Sequence, residues 1–194
     1  MSHFTSITTE IQDLEACKEA LKNMGLELQA KGECRYYYGT ELKENVVKLP
    51  GRYDMSLEKQ EDDVYLITAD FFDGDVERTI GYGGWILLMK YGENKLRKTC
   101  RKMHLSISTM KEPNSFKVRD PQDSNGGYMI VRFDETGNIS FIPKGIKGKK
   151  CSKFLELEDS LGNVVKREFL PEYNNERETE KEKTTRKEKV RIEY

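Results

Sequence analysis

A chain of 194 residues with 33 Lys and Arg against 34 Asp and Glu has room for one ordinary domain or two small ones under a heavily charged surface. Its longest apolar run, Trp85 to Met89, is far too short to span a bilayer, and a net charge of −1 argues against a uniformly basic nucleic-acid binder. With 36% hydrophobic residues and a mean hydropathy of −0.77, some part of the chain has little to bury.

The near-zero charge is a cancellation. Residues 1–89 carry a net −8, residues 90–119 a net +7, and residues 120–194 balance. Met1 to Thr5 offers neither the basic nor the apolar stretch of a secretory signal, so a cytosolic location is expected.

Phe4, Ile7 and Ile11 predict an opening strand, and Asp13 can cap a helix in which Leu14, Cys17, Ala20, Leu21 and Met24 recur at spacings of three and four. Gly25 stands where a left-handed C-cap belongs. Leu26, Leu28 and Ala30 then alternate with polar residues in a strand that can run to Tyr36. A meander follows in Asn45–Leu49, Tyr53–Lys59 and Val64–Phe72, broken by Pro50-Gly51 and by an acidic turn. The last of these strands is apolar on both faces and is expected to be buried on both.

From Trp85 to Met103 the period is helical again. Trp85, Met89, Gly92, Leu96, Cys100 and Met103 form one stripe, and Lys90, Lys95, Arg97, Lys98, Arg101 and Lys102 form a basic face. Residues 111–127 are rich in breakers and read as a linker. Beyond it come a hairpin turning at Asp134–Asn138, a short helix from Cys151 to Leu161, and a strand over Val164–Leu170. Residues 174–194 are almost all Glu, Lys, Arg, Thr and Asn, and predict a disordered tail. The fold class is therefore α+β. Two small units of antiparallel sheet covered by short helices are expected, at 1–110 and 128–173.

The candidate chemistry is thin. Asp70, Asp73, Asp75 and Glu77 gather carboxylates around Gly74, but their spacing is not that of a calcium-binding loop, so a metal role ranks behind an ordinary acidic turn. The basic helix face reads first as a solvated face, then as a dock for an acidic protein partner and last for phosphates, and the acidic first half can itself be the match. Gly81-Tyr82-Gly83-Gly84 has no following Gly-Lys-Ser/Thr and is a tight entry turn, not a phosphate loop. Tyr36-Tyr37-Tyr38 reads as strand packing ahead of base stacking. Cys17, Cys34, Cys100 and Cys151 include no close pair, and with His3 and His104 they match neither a zinc site nor a catalytic triad.

The opening Met1-Ser2-His3-Phe4-Thr5-Ser6-Ile7, the helix ending in Met24-Gly25, Leu49-Pro50-Gly51-Arg52-Tyr53-Asp54, and Tyr65 to Phe72 resemble the hypothetical chloroplast reading frame thirty-five family, a domain of unknown function. The second half looks like a further small domain of unknown function, on Asp134 to Ile139, Gly145 to Cys151, Leu161-Gly162 and Pro171-Glu172-Tyr173. In many prokaryotes the second is encoded beside the first, often near an AAA-type ATPase. The resemblance thus implies a fusion of two halves that work in one complex. It singles out His3 and Cys151 as motif positions without giving them a role. The leading expectation is a non-enzymatic cytosolic adaptor working with a protein partner such as an AAA-type ATPase. Behind it stand a small-molecule or metal-dependent enzyme at Asp70–Glu77 and a nucleic-acid binder at Lys90–Lys102. No cofactor is expected.

Overall fold

The computed structural model describes residues 3–8, 11–61, 63–71, 74–124, 126–134, 138–146, 151–161 and 163–169. The tail expected at 174–194 lies outside them, as do Asp73 and the turn residues 135–137.

The expected α+β class is found, as two antiparallel sheets and short helices. After β1 (His3–Thr8), Asp13 caps α1 (Leu14–Asn23) with a 3.0 Å bond from the Ala16 N–H to its carboxylate. At the other end Gly25 takes φ 74, which lets Leu26 N–H reach Leu21 C=O and Gly25 N–H reach Lys22 C=O. Two of the orphan carbonyls of the last turn are thereby satisfied. Next come β2 (Leu28–Tyr36), β3 (Gly39–Val47), β4 (Met55–Lys59) and β5 (Tyr65–Ala69), which make a four-stranded sheet in chain order.

β3 starts at Gly39, ahead of the strand predicted at Asn45, because a tight turn at Tyr37-Tyr38 folds β2 back on it in register. β5 is not buried on both faces. It is an edge strand: Tyr65, Ile67 and Ala69 pack on the core while Leu66 is 53% exposed. Part of the expected acidic turn is instead a helix, α2 (Asp75–Ile80), anchored by buried Val76 and Ile80. A single 3-10 turn at Tyr82–Gly84 then leads into α3 (Trp85–Lys102), bounded as the apolar stripe predicts.

The remaining elements are β6 (Ser106–Thr109), β7 (Ser115–Arg119), β8 (Tyr128–Phe133), β9 (Ile139–Lys144), α4 (Cys151–Leu161) and β10 (Asn163–Phe169). The stretch read as a linker contains β7, paired to β6 on one side and β8 on the other. Its breakers lie only in the flanking turns, while Phe116 and Val118 alternate inward and are buried.

The six-stranded sheet runs β10-β1-β9-β8-β7-β6. β1 is inserted between β9 and β10, so strands from both ends of the chain share one sheet and the two sheets do not divide at residues 111–127. α3 lies between two cores. Met89, Leu96 and Cys100 pack with Phe116, Val131, Phe133 and Phe141 of the six-stranded sheet and with Phe154 and Leu157 of α4. Leu87 and Tyr91 pack with Cys17 and Leu21 of α1 and with Met55 and Leu57 of β4. A helix apolar on two sides is what such a position demands.

Candidate functional site

The basic face of α3 is largely occupied by the protein itself. Lys98 Nζ lies 2.7 Å from the Asp13 carboxylate, joining the basic helix to the acidic cap of α1. Burial opposes the charge on Asp13, but Lys98 and the Ala16 N–H outweigh it and hold its carboxyl below the ordinary value. Arg97 pairs with Glu93 at 3.0 Å and lies over the Phe116 ring, and Lys90 meets the same Glu93 at 3.5 Å. Lys95 donates to Leu161 C=O at 3.3 Å, tying α3 to the end of α4. Arg101 and Lys102, in the last turn, are exposed and suit the negative end of the helix.

The acidic cluster is dispersed in the same way. Asp70 accepts the Tyr37 N–H at 2.9 Å. Asp75 accepts the Arg52 N–H at 3.1 Å and pairs with Arg78, so its carboxyl stays below the ordinary value, chiefly through the Arg52 N–H. Glu77 is part-exposed on α2, and Asp73 is outside the described residues. Among the described residues, no three His, Cys, Asp or Glu gather as metal ligands would. His3 lies in β1, opposite Phe169 of β10, and Cys151 opens α4. Cys17, Cys34 and Cys100 are free and buried.

The most elaborate polar cluster was not singled out as chemistry by the sequence. Asp54, at the close of the Leu49–Asp54 motif, is 0% exposed. Its two oxygens accept from Arg35 Nε at 2.8 Å, Arg35 Nη2 at 2.6 Å, Lys48 Nζ at 3.0 Å, and the backbone N–H groups of Arg35 and Leu49. Burial alone would raise its carboxyl, yet these donors outweigh burial and lower it to about 2. Beside it Tyr36 and Ser56 share a buried hydroxyl contact of 3.0 Å, and Tyr38 stacks on Tyr36 at 5.4 Å between ring centroids. With every oxygen partnered, Asp54 is a clamp that holds the end of β2 against the start of β4; it is not a base awaiting substrate.

That clamp sets the position of an aromatic rim. The β2–β3 turn presents Tyr37 and Tyr38 at 67% and 71% exposure. The Tyr37–Asp70 bond brings the turn beside Phe71, whose ring is 6.3 Å from that of Tyr82, itself 77% exposed. Leu42 and Leu66 complete the large apolar side chains exposed among the described residues, and all five fall between positions 37 and 82. The Tyr triplet was visible in the sequence; that its second and third members face solvent follows from the tight turn.

An open groove of about 810 Å³ between α1 and the start of β2 is lined by Glu15, Lys18, Glu19, Lys22, Leu26 and Lys98, acids and bases intermixed. It focuses no single charge.

Residues 130–174 match a family described as a protein of unknown function (DUF2997). The second half of the chain therefore does hold a domain of unknown function. The match begins within β8 and takes in β9, α4 and β10, leaving β6, β7 and β1 of the same sheet outside it. No curated protein and no solved structure matches the chain. Among the described residues no helix is long and apolar enough to cross a membrane.

Proposed function

We propose that the protein is a non-enzymatic adaptor that docks a protein partner on the aromatic rim of its four-stranded sheet. The observation that carries this reading is that, among the described residues, all five exposed large apolar side chains fall at positions 37–82. Exposed aromatics held on a rigid scaffold make strong anchors, and grouped apolar exposure marks interaction surfaces. Asp70 beside Tyr37 and Glu41 beside Tyr38 lie at the rim, and Lys43 pairs with Glu41 and Glu58, so the matching surface is chiefly apolar.

The partner class, an AAA-type ATPase, comes from the resemblance of the two halves to domains encoded side by side, often near such an ATPase, and the fusion and the cytosolic setting belong to the same reading. The enzyme alternative at Asp70–Glu77 ranks lower, since Asp70 and Asp75 are already engaged by Tyr37, Arg52 and Arg78.

Titration calorimetry against an AAA-type ATPase from the same cells tests the proposal. Binding that weakens about tenfold in the Tyr37→Ser, Tyr82→Ser double variant, with unchanged thermal stability, is the expected result. Equal binding by both proteins, or none by either, overturns it.

A further inference from the structure

Among the described residues, the six-stranded sheet has one face on the core and no helix or second sheet packed on the other. Register places three rows across β7, β8 and β9 on that outer face. They are Arg119, Tyr128 and Lys144; Lys117, Ile130 and Ile142; and Ser115, Arg132 and Ser140, of which Arg119, Arg132 and Lys144 are exposed, Ser115 is buried and the rest are half-buried. None of Tyr128, Ile130 and Ile142 joins a core cluster, whereas their strand neighbours Met129, Val131, Phe133, Ile139 and Phe141 all do.

The cations here differ from those on α3. Among the described residues Lys117, Arg119 and Lys144 form no ion pair. Lys117 Nζ instead lies 3.8 Å from the Tyr128 ring centroid, and the Arg119 guanidinium lies 5.8 Å from it. Arg132, by contrast, meets the Glu112 carboxylate. Among the described residues, three positive charges without an ion pair thus surround one half-buried aromatic ring and two half-buried aliphatic side chains.

We infer that this face binds single-stranded nucleic acid, with Tyr128 as a stacking platform and Lys117, Arg119 and Lys144 as phosphate contacts. An aromatic set among cations on an antiparallel sheet is how non-specific single-strand binders are built, because every base offers a π-face and every linkage a charge. Strand geometry spaces Lys117 and Arg119 about 6.7 Å apart on one face, and neighbouring strands stand about 4.8 Å apart, so the charges form a track across the sheet. A base that stacks on Tyr128 displaces Lys117 from the ring and frees its ammonium for the adjoining phosphate. An acidic peptide would meet the cations but has no use for the ring. A duplex buries its bases away from it. This surface is separate from the aromatic rim, and the inference does not rest on the adaptor reading.

The test is fluorescence anisotropy of the full chain with a labelled twelve-nucleotide oligo(U) and oligo(dT), a duplex of equal length, and a poly-glutamate peptide. Expected are binding of at least one single strand, weaker binding of the duplex and the peptide, and affinity that falls steeply with salt. The Lys117→Glu, Arg119→Glu double variant should lose about tenfold or more of that affinity. Tyr128→Leu should lose about tenfold with the salt slope retained, the signature of lost stacking. Lys144→Glu, at the exposed end of β9, gives an independent reading should the double variant fail to fold. The inference is overturned by no single-strand binding at low salt, by equal or tighter binding of the duplex or the peptide, or by folded charge variants that bind as the parent does.

Discussion

Gly92 of α3 and Phe133 of β8 approach so closely that a Cβ at position 92 would stand 2.4 Å from the ring. The missing side chain lets the central helix settle onto the six-stranded sheet at this point. Phe133 is 2% exposed and packs edge-on against Phe116, with centroids 5.8 Å apart, so it has no free direction in which to retreat. Gly92→Ala therefore overpacks the core, at a cost of about 1–3 kcal/mol. The better helix propensity of Ala returns about 1 kcal/mol. The expected result is a melting temperature lower by a few degrees. A variant that melts at or above the parent temperature would show that the helix can shift without loss.

Asp54 gives a prediction in pH. Its carboxyl is lowered from 3.8 to about 2 in the folded chain, so on acidification the unfolded chain takes up the proton first. The stabilisation is present in full above the unfolded value and is lost as pH falls from about 4 to about 2, amounting to roughly 2 kcal/mol. Asp54→Asn should accordingly be less stable than the parent at neutral pH, and the gap between the two should close toward pH 2. A gap independent of pH in urea titrations would refute the assignment. Arg35 and Lys48 are part-exposed and can return to water, which limits the damage when their partner is neutralised.

Local features of this fold could be read directly from the residues. The Asp13 cap, the Gly25 terminus and the stripe of α3 each depend on positions within a turn or two of one another, and all three stand as expected. Long-range pairing could not be read in that way. Nothing in Phe4 or Ile7 says that β1 will sit between β9 and β10, more than a hundred residues away. The Arg35–Asp54 pair joins positions 19 apart that meet only because β2 runs back beside the start of β4. β7 could have been recognised, since Phe116 and Val118 alternate with Lys117 and Arg119. The surrounding Pro113, Asn114 and Gly126 masked a strand of five residues. Without that strand the outer sheet face has no signature in the residues, whereas the α3 cations stand out by spacing although their charges are partly met by Asp13 and Glu93.

Tyr91 makes a further test of how α3 holds the start of the chain. It is 0% exposed, and its hydroxyl oxygen accepts the backbone N–H groups of both Gln12 and Asp13, each at 3.1 Å. Those are donors ahead of α1 that the helix itself cannot satisfy. Tyr91→Phe keeps the ring and removes the acceptor, which should destabilise the chain by about 1–3 kcal/mol. Amide exchange at Gln12 and Asp13 should accelerate more than exchange in the six-stranded sheet. Uniform acceleration, or none, would show that the hydroxyl does not organise this junction.

The thiols provide a measure of how closed the two cores are. Burial pushes Cys17 up to about 12, with the nearby Asp13 charge adding to it, and burial pushes Cys100 to about 12 as well. A thiolate is the reactive form, so near pH 8 neither residue should react directly in the folded state. Cys17 belongs to the core shared by α1 and β4, and Cys100 to the core between α3 and the six-stranded sheet. Site-resolved labelling with a chromogenic disulfide, followed by peptide mapping, should therefore give rates set by opening of each core. Gly92→Ala, whose added methyl meets Phe133 in the second core, should accelerate Cys100 more than Cys17. Rapid labelling of both thiols in the folded chain, or equal acceleration of the two by that variant, would mean that the cores do not open separately.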